Sequence, residues 1–344
     1  MAIAPTGPID ADGHVRDDDR RMRQFIAPPF DKRSPMGISA NDGFDRHLQG
    51  TLGLFDVDAP TWQQALDEGG LAATVLFPTV GLRNGQIREP DFAIARCRAY
   101  NDWLHSEFLS VDERFKGVAL LPVQDPSAAA EELQRAVRDL GMVAGMLPEG
   151  PYVYGDSRFD PIYAEAERLG CPITIHEGGN VWDSIYHHLF PQFAEVHTLG
   201  HPFAQMRHLT SVLCEGVLVR FPKLKIGFLE AGCTWVPFLL DRMDERFRLR
   251  GEQEMPTLTR PPSDYVRDGN VYFTCEAEET LLPETLRVIG DGAVMYATDF
   301  PHWDGEYPES LHTLMARADL TEEQCARITG GNAREFYALW GAMR

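Results

Sequence analysis

Pro172-Ile173-Thr174-Ile175-His176 is a short apolar run, rich in β-branched residues, that ends in an imidazole. A run this short and this apolar suits a strand covered on both faces, as in a parallel sheet. A half-exposed antiparallel strand would alternate apolar with polar residues. The same form recurs at 9–14, 72–77, 117–123, 142–147, 225–230, 270–276 and 293–299. Eight such runs lie in one chain, with stretches of helical period between them.

The intervening stretches carry helix-start signals. Asp125-Pro126 and Asp160-Pro161 each offer an N-cap acceptor followed by a proline suited to the first helical position, and His201-Pro202 gives the same proline signal. Thr321 to Gln324 has the capping-box spacing. No Gly-x-Gly-x-x-Gly follows the first strand, so a dinucleotide-binding open sheet is not indicated. The sequence therefore predicts an α/β chain folded as one (β/α)8 TIM barrel over residues 1–344. Segments 16–58 and 180–200 are read as insertions after strands one and five, and therefore as lid and pocket walls. Segment 248–269 leads into strand seven, and 321–344 is read as a C-terminal helical segment.

The 344 residues are 44% hydrophobic and 24% charged, ordinary for a globular protein with a large core. A formal net charge of -20 opposes nucleic acid and anionic membrane as partners and leaves a small-molecule substrate. The six cysteines are scattered, without CxxC or Cys/His spacing, so they read as reduced core residues. No basic-then-apolar leader and no apolar stretch long enough to span a bilayer is found, and the expected compartment is the cytoplasm.

In a barrel the carboxyl ends of the strands converge on one axial cavity. Here those ends supply Asp12 and His14 from strand one, His176 from strand five, Glu230 from strand six and Asp299 from strand eight. Several carboxylates gathered in one cavity repel unless a cation holds them, so the pattern points to a metal site. Asp12 and His14, two apart, share a face. Asp10 is read as facing the other way, as support at most. His201, placed at a helix N-terminus, and His302, three residues after Asp299, join the candidate catalytic set with Glu230 and Asp299. His201, Glu230 and His302 would complete a second ion site. Trp182, Phe203, Trp235 and Trp303 are candidates for the pocket wall, while His187 and His188 read as surface or lid residues.

The stretches Asp12-Gly13-His14, Ile173-Thr-Ile-His176-Glu-Gly-Gly, Phe221 through Glu230-Ala-Gly and Ala297-Thr-Asp299-Phe-Pro-His302-Trp resemble the amidohydrolase family 2 branch of the metal-dependent amidohydrolases. That branch includes aminocarboxymuconate-semialdehyde decarboxylase. The resemblance implies a metal-dependent TIM barrel that hydrolyses C–N or C–O bonds or releases carbon dioxide. His14, His176 and Asp299 match its metal-binding positions, and Asp12 is an added ligand. Asp12 stands where the family carries histidine, as does Glu230 at the strand-six end of the decarboxylases. The extra carboxylates suit zinc, manganese or iron, one ion per chain with donors for two.

The leading expectation is hydrolysis of a small amide, lactam, lactone or ester by a metal-activated water. In that scheme Asp299 moves the proton, His201 or Glu230 assists and His302 orients. The alternatives are non-oxidative decarboxylation of an aromatic or unsaturated acid, a dinuclear iron or manganese site that activates oxygen, and a non-catalytic partner subunit. The long insertions provide surface for a homodimer or an oligomer of related subunits.

Overall fold

The structure is a computed structural model and describes residues 7–33, 57–176, 190, 192–302 and 305–341. Its centre is a sheet of eight parallel strands in the order β1 to β8: Ile9–Val15, Ala73–Pro78, Phe115–Leu120, Ala144–Leu147, Ile173–His176, Ile226–Leu229, Val271–Cys275 and Val294–Tyr296. All eight fall on the runs read from the sequence. Their side chains are buried almost throughout, because the cavity and core lie inside and a ring of helices covers the outside.

The main covering helices are α1 (Ala59–Gly69), α2 (Pro90–Leu104), α3 (Pro126–Asp139), α4 (Asp160–Leu169), α5 (Phe193–Cys214), α6 (Val236–Glu254), α7 (Leu282–Ile289) and α8 (Glu309–Met315). One follows each strand, which is the alternation of a (β/α)8 barrel. The Asp125 side chain caps α3 by accepting from Ser127 N and Ala128 N, and Thr321 and Gln324 form the expected capping box. Asp160, by contrast, is the first residue inside α4. Asp156 takes the capping role one turn earlier, for the 3-10 turn that leads in.

The start of α5 also differs from the expectation. Pro202 lies inside this helix, which begins at Phe193 with a capping box between Gln192 and Glu195. His201 is therefore a mid-helix residue, and 193–200 belongs to the helix rather than to a loop. The weak cap at Gln192 hid the true start, and Pro202, whose missing N–H and fixed φ suit a first helical turn, imitated one.

Closure of the barrel depends on β1. From Asp10 to Gly13 it advances three residues while β2 advances two, from Thr74 to Leu76. This bulge reverses the side-chain alternation. Strict alternation would set Asp10 on the same face as Asp12 and His14, so the expected outward Asp10 is met only because the extra residue turns it outward and Asp12 inward. The outward Asp10 carboxylate accepts from Thr74 Oγ1 at 2.7 Å, Thr298 N at 2.9 Å, Thr298 Oγ1 at 3.0 Å and Asp12 N at 3.2 Å. One side chain thus joins β2, β1 and the extension of β8. Backbone bonds complete the seam, from Asp299 N to Asp12 O at 3.0 Å and from His14 N to Phe300 O at 2.8 Å.

Trp62 of α1, fully buried, covers the bulge and donates its indole N–H to His14 O at 3.0 Å. Glycine is required beneath it, since a Cβ at position 13 would sit 2.5 to 2.6 Å from Thr74 Oγ1, Asp10 Oδ2 and Trp62 Cη2. Gly13→Ala is expected to lose about 1–3 kcal/mol, the usual penalty for overpacking a filled core. Urea denaturation of the two proteins measures it; equal midpoints would show that the seam yields freely.

Candidate active site

The inward residues at the strand ends meet in one cluster. Asp12 Oδ1 lies 3.1 Å from His176 Nε2 and 3.5 Å from His14 Nε2, and His14 Nε2 lies 3.3 Å from Asp299 Oδ1. On the other side of the His176 ring, Nδ1 is 3.2 Å from Glu230 Oε2. His302 Nδ1 contacts Asp299 Oδ1 at 2.7 Å and is 3.6 Å from Glu230 Oε1, while His201 Nε2 is also 3.6 Å from Glu230 Oε1. The fold therefore brings together Asp12, His14, His176, His201, Glu230, Asp299 and His302.

Two of the carboxylates reach the cluster through backbone conformations that side chains seldom adopt. Glu230, directly after β6, and Asp299, three residues past the end of β8, have φ of 55° and 54°, the left-handed region. Tertiary hydrogen bonds hold both, Glu230 N to Thr274 Oγ1 at 3.0 Å and Asp299 N to Asp12 O.

The electrostatics follow from burial against pairing. Burial pulls the His14 imidazole well below its usual range, and His302 and His176 push it further, so His14 is neutral. Burial also pulls on His176, but Asp12 and Glu230 on either side overcome it and lift the group to about 9. His302 is likewise raised well above the ordinary value, with burial outweighed by Asp299 and Glu230. Burial raises Asp12 against the attraction of His176, whereas for Glu230 burial is outweighed by His176, His201 and His302, and its carboxyl is lowered.

Among the described residues, two sets of three donor atoms lie within 4.8 Å of one another: Asp12, His14 and His176, and His14, Asp299 and His302. His14 Nε2 is buried and makes no hydrogen bond to any described residue. A neutral imidazole nitrogen without a hydrogen bond, facing two carboxylate oxygens, is a donor set suited to a divalent cation. His201, Glu230 and His302 approach only pairwise, through Glu230, and do not form such a set.

Several supporting residues left no mark on the sequence reading. Thr79, just past β2, places its hydroxyl 3.1 Å from His302 Nε2 and 3.5 Å from His14 Nδ1. Its only sequence signal was a polar residue following a strand that ends without His, Asp or Glu. Gln205 of α5, fully buried, donates through Nε2 to Ile175 O at 2.9 Å and Leu229 O at 2.8 Å, tying together the backbones that present His176 and Glu230.

A cavity of about 480 Å³ opens over the cluster, lined in part by Asp12, His201, Glu230, Trp235 and Asp299. Phe203, expected in the pocket wall, is 41% exposed and does not line this cavity. Two residues on a helix are 200° apart at 100° per residue, so the turn that points His201 inward directs Phe203 away. Trp182, Trp303, His187 and His188 lie outside the described residues.

Eight parallel strands with their polar ends gathered around one cavity define a barrel enzyme whose chemistry sits at the carboxyl face. An amidohydrolase family model matches residues 59–339, and the chain belongs to the amidohydrolase family, in the branch of the aminocarboxymuconate-semialdehyde and resorcylate decarboxylases. It is 32% identical over 278 residues to a gamma-resorcylate decarboxylase of Rhodococcus jostii, covering 74% of this chain and 79% of that one. It is 26% identical over 297 residues to the 2-amino-3-carboxymuconate-6-semialdehyde decarboxylase of Dictyostelium discoideum, covering 83% and 79%. The solved 5-carboxyvanillate decarboxylase of Novosphingobium aromaticivorans, with bound manganese, matches at a TM-score of 0.74 with 18% identity over 96% of this chain and 97% of that one.

These relatives overturn hydrolysis as the leading reaction. Asp12 and Glu230 stand where the family carries histidine, yet these curated relatives are decarboxylases, and the first alternative takes the lead. Among the described residues no helix is long and apolar enough to cross a membrane.

Gln205→Leu removes the side-chain donor that joins the two strand ends while keeping side-chain bulk, and leaves two buried carbonyls short of a partner. Its stability in urea is expected to fall by about 2 kcal/mol or more. An unchanged midpoint would mean that the strand ends hold their places without it.

Proposed function

We propose that this protein is a metal-dependent, non-oxidative decarboxylase of an aromatic or unsaturated acid. The observation that carries the reading is the convergence of Asp12, His14 and His176 at the barrel axis, with the Asp299–His302 pair beside them. The decarboxylase relatives support it.

Asp12, His14, His176 and Asp299 would hold one divalent ion. Manganese, which the carboxyvanillate decarboxylase binds, suits this oxygen-rich donor set. Such an ion supplies positive charge that grips a substrate carboxylate and an adjacent oxygen.

The chain's own residues do the remaining work. Decarboxylation breaks one C–C bond, releases carbon dioxide and leaves the electron pair on a substrate carbon, which must take a proton. The Asp299–His302 pair offers it: their 2.7 Å contact holds a proton at the edge of the cavity, and Thr79 Oγ1 fixes the far nitrogen of His302. Glu230 positions His176 from behind through the 3.2 Å contact at Nδ1, as carboxylates commonly do for histidines that bind metals. His201 lines the wall and steadies Glu230. Phe77, whose ring centroid is 5.0 Å from that of His176, gives the cluster an apolar neighbour.

Elemental analysis of the purified protein should find one divalent ion per chain, and chelation should lower the thermal midpoint, since an ion that binds only the folded state stabilises it by mass action. His176→Ala should lose both the ion and the release of carbon dioxide from hydroxybenzoates. A His176→Ala protein with full turnover sinks the assignment.

His302→Gln keeps all four residues that would hold the ion and removes the proton held against Asp299. Turnover is expected to drop about 100-fold or more with metal content retained, within the usual range for loss of a general acid. Single-turnover measurements on metal-replete protein separate that result from loss of the ion.

A further inference from the structure

One charged pair in the core has no part in the chemistry described so far. Arg96 of α2 and Asp17, two residues past β1, are both fully buried. Arg96 Nη2 lies 3.4 Å from Asp17 Oδ2, and Nη1 donates to Asn84 Oδ1. Taking two charges out of water offsets most of their attraction, so such a pair adds little stability over apolar side chains of similar volume. Its use lies in what it holds in place.

What it holds is the end of β2. The other oxygen of Asp17, Oδ1, accepts from Val80 N at 2.6 Å, and one residue earlier Thr79 N donates to Val15 O at 3.0 Å. Thr79 is thus gripped on both sides by the end of β1, once through backbone and once through the Asp17 carboxylate. Packing confines that carboxylate, since a Cβ on Gly81 would sit 2.9 Å from Asp17 Oδ2. Further along the same 3-10 turn, Gly81–Gln86, Asn84 is fixed through its side chain by Arg96 and through its carbonyl by Gln124 Nε2 at 2.6 Å.

The functional group placed by this frame is the Thr79 hydroxyl, 3.1 Å from His302 Nε2. Side-chain hydrogen bonds fail beyond roughly 3.5 Å, so a shift of about half an ångström at the β2 end releases the His302 ring.

We propose that the buried Arg96–Asp17 pair is a positioning device for the proton-donating Asp299–His302 pair, acting through Val80 N and the Thr79 hydroxyl. The inference rests on the decarboxylase reading for what His302 does, and on these contacts alone for what Arg96 and Asp17 do.

The test is a mutant cycle on metal-replete protein, read by single-turnover release of carbon dioxide from a hydroxybenzoate, by KM, by metal content and by crystal structures. Asp17→Ala with Arg96→Met removes both charges together, so neither is left buried alone and the fold is spared. Its rate should fall about 10- to 100-fold, the scale of a small misplacement of a catalytic group, with KM and metal content unchanged. Thr79→Val should lose at least as much. Adding Asp17→Ala and Arg96→Met to Thr79→Val should cost nothing further, because the same path is cut twice. Losses that multiply in the triple variant, or a native rate in the Asp17→Ala, Arg96→Met protein, overturn the proposal. Arg96→Lys serves if that protein does not fold: it keeps the charge but not the guanidinium fork that joins Asp17 to Asn84, and should lose rate in the same way, whereas a native rate in it overturns the proposal. If the native enzyme releases no carbon dioxide, the decarboxylase reading fails on these substrates and the crystal structures decide the positioning role alone. A Thr79–His302 separation that opens beyond hydrogen-bond reach in the variant upholds it; a contact kept at its native length overturns it.

Discussion

The architecture turns on one buried carboxylate. Asp10 is fully enclosed, and burial pushes its pKa up to about 6 even though Thr74, Thr298 and Asp12 all donate to it. Such a group is tolerated only where its acceptors are used, and here they are used to join three strands. The seam between β1 and β8 has no long ladder of its own, so Asp10 and two backbone bonds carry the closure. Because Asp12, His14 and Asp299 are the residues flanking that seam, the geometry of the cluster and the closure of the barrel are one constraint.

The bulge in β1 links these two roles. It adds one residue between Asp10 and Gly13, and that residue lets two acidic side chains of the same strand serve opposite faces, one as a structural acceptor outside and one as a member of the site inside. The inner side then gathers three carboxylates that repel each other, balanced by imidazoles sandwiched between them. His176 lies between Asp12 and Glu230, and His302 touches Asp299 and approaches Glu230. Such a cluster is poised for a cation, and the left-handed backbone at Glu230 and Asp299 shows that local conformational preference has given way to it.

Much of this was legible before the structure. All eight strands and the order of the barrel follow from short apolar runs separated by helical stretches, and the polar residues at the strand ends do meet. What misled were signals whose meaning depends on context. Pro202 imitated a helix start because a missing N–H is compatible with both a first turn and a tolerated interior position. Phe203 stands two residues from His201 in sequence, yet on the helix it points to the opposite side. Asp12 and Glu230 depart from the family's histidines, although the relatives named as decarboxylases are similar across most of the chain.

The sequence by itself determined the barrel and its donor types, because strand burial and helix capping are local and repeat along the chain. Only the tertiary structure decided which donors face one another, and the reason is geometric. Thr79, Gln205 and Thr274 act across strands, and a one-residue bulge or a 200° rotation on a helix redirects a side chain without changing its neighbours in sequence. The acidic lining of the cavity is likewise a tertiary fact, since Glu230, Glu278 and Glu306 follow different strands and line one cavity only when β6, β7 and β8 lie side by side.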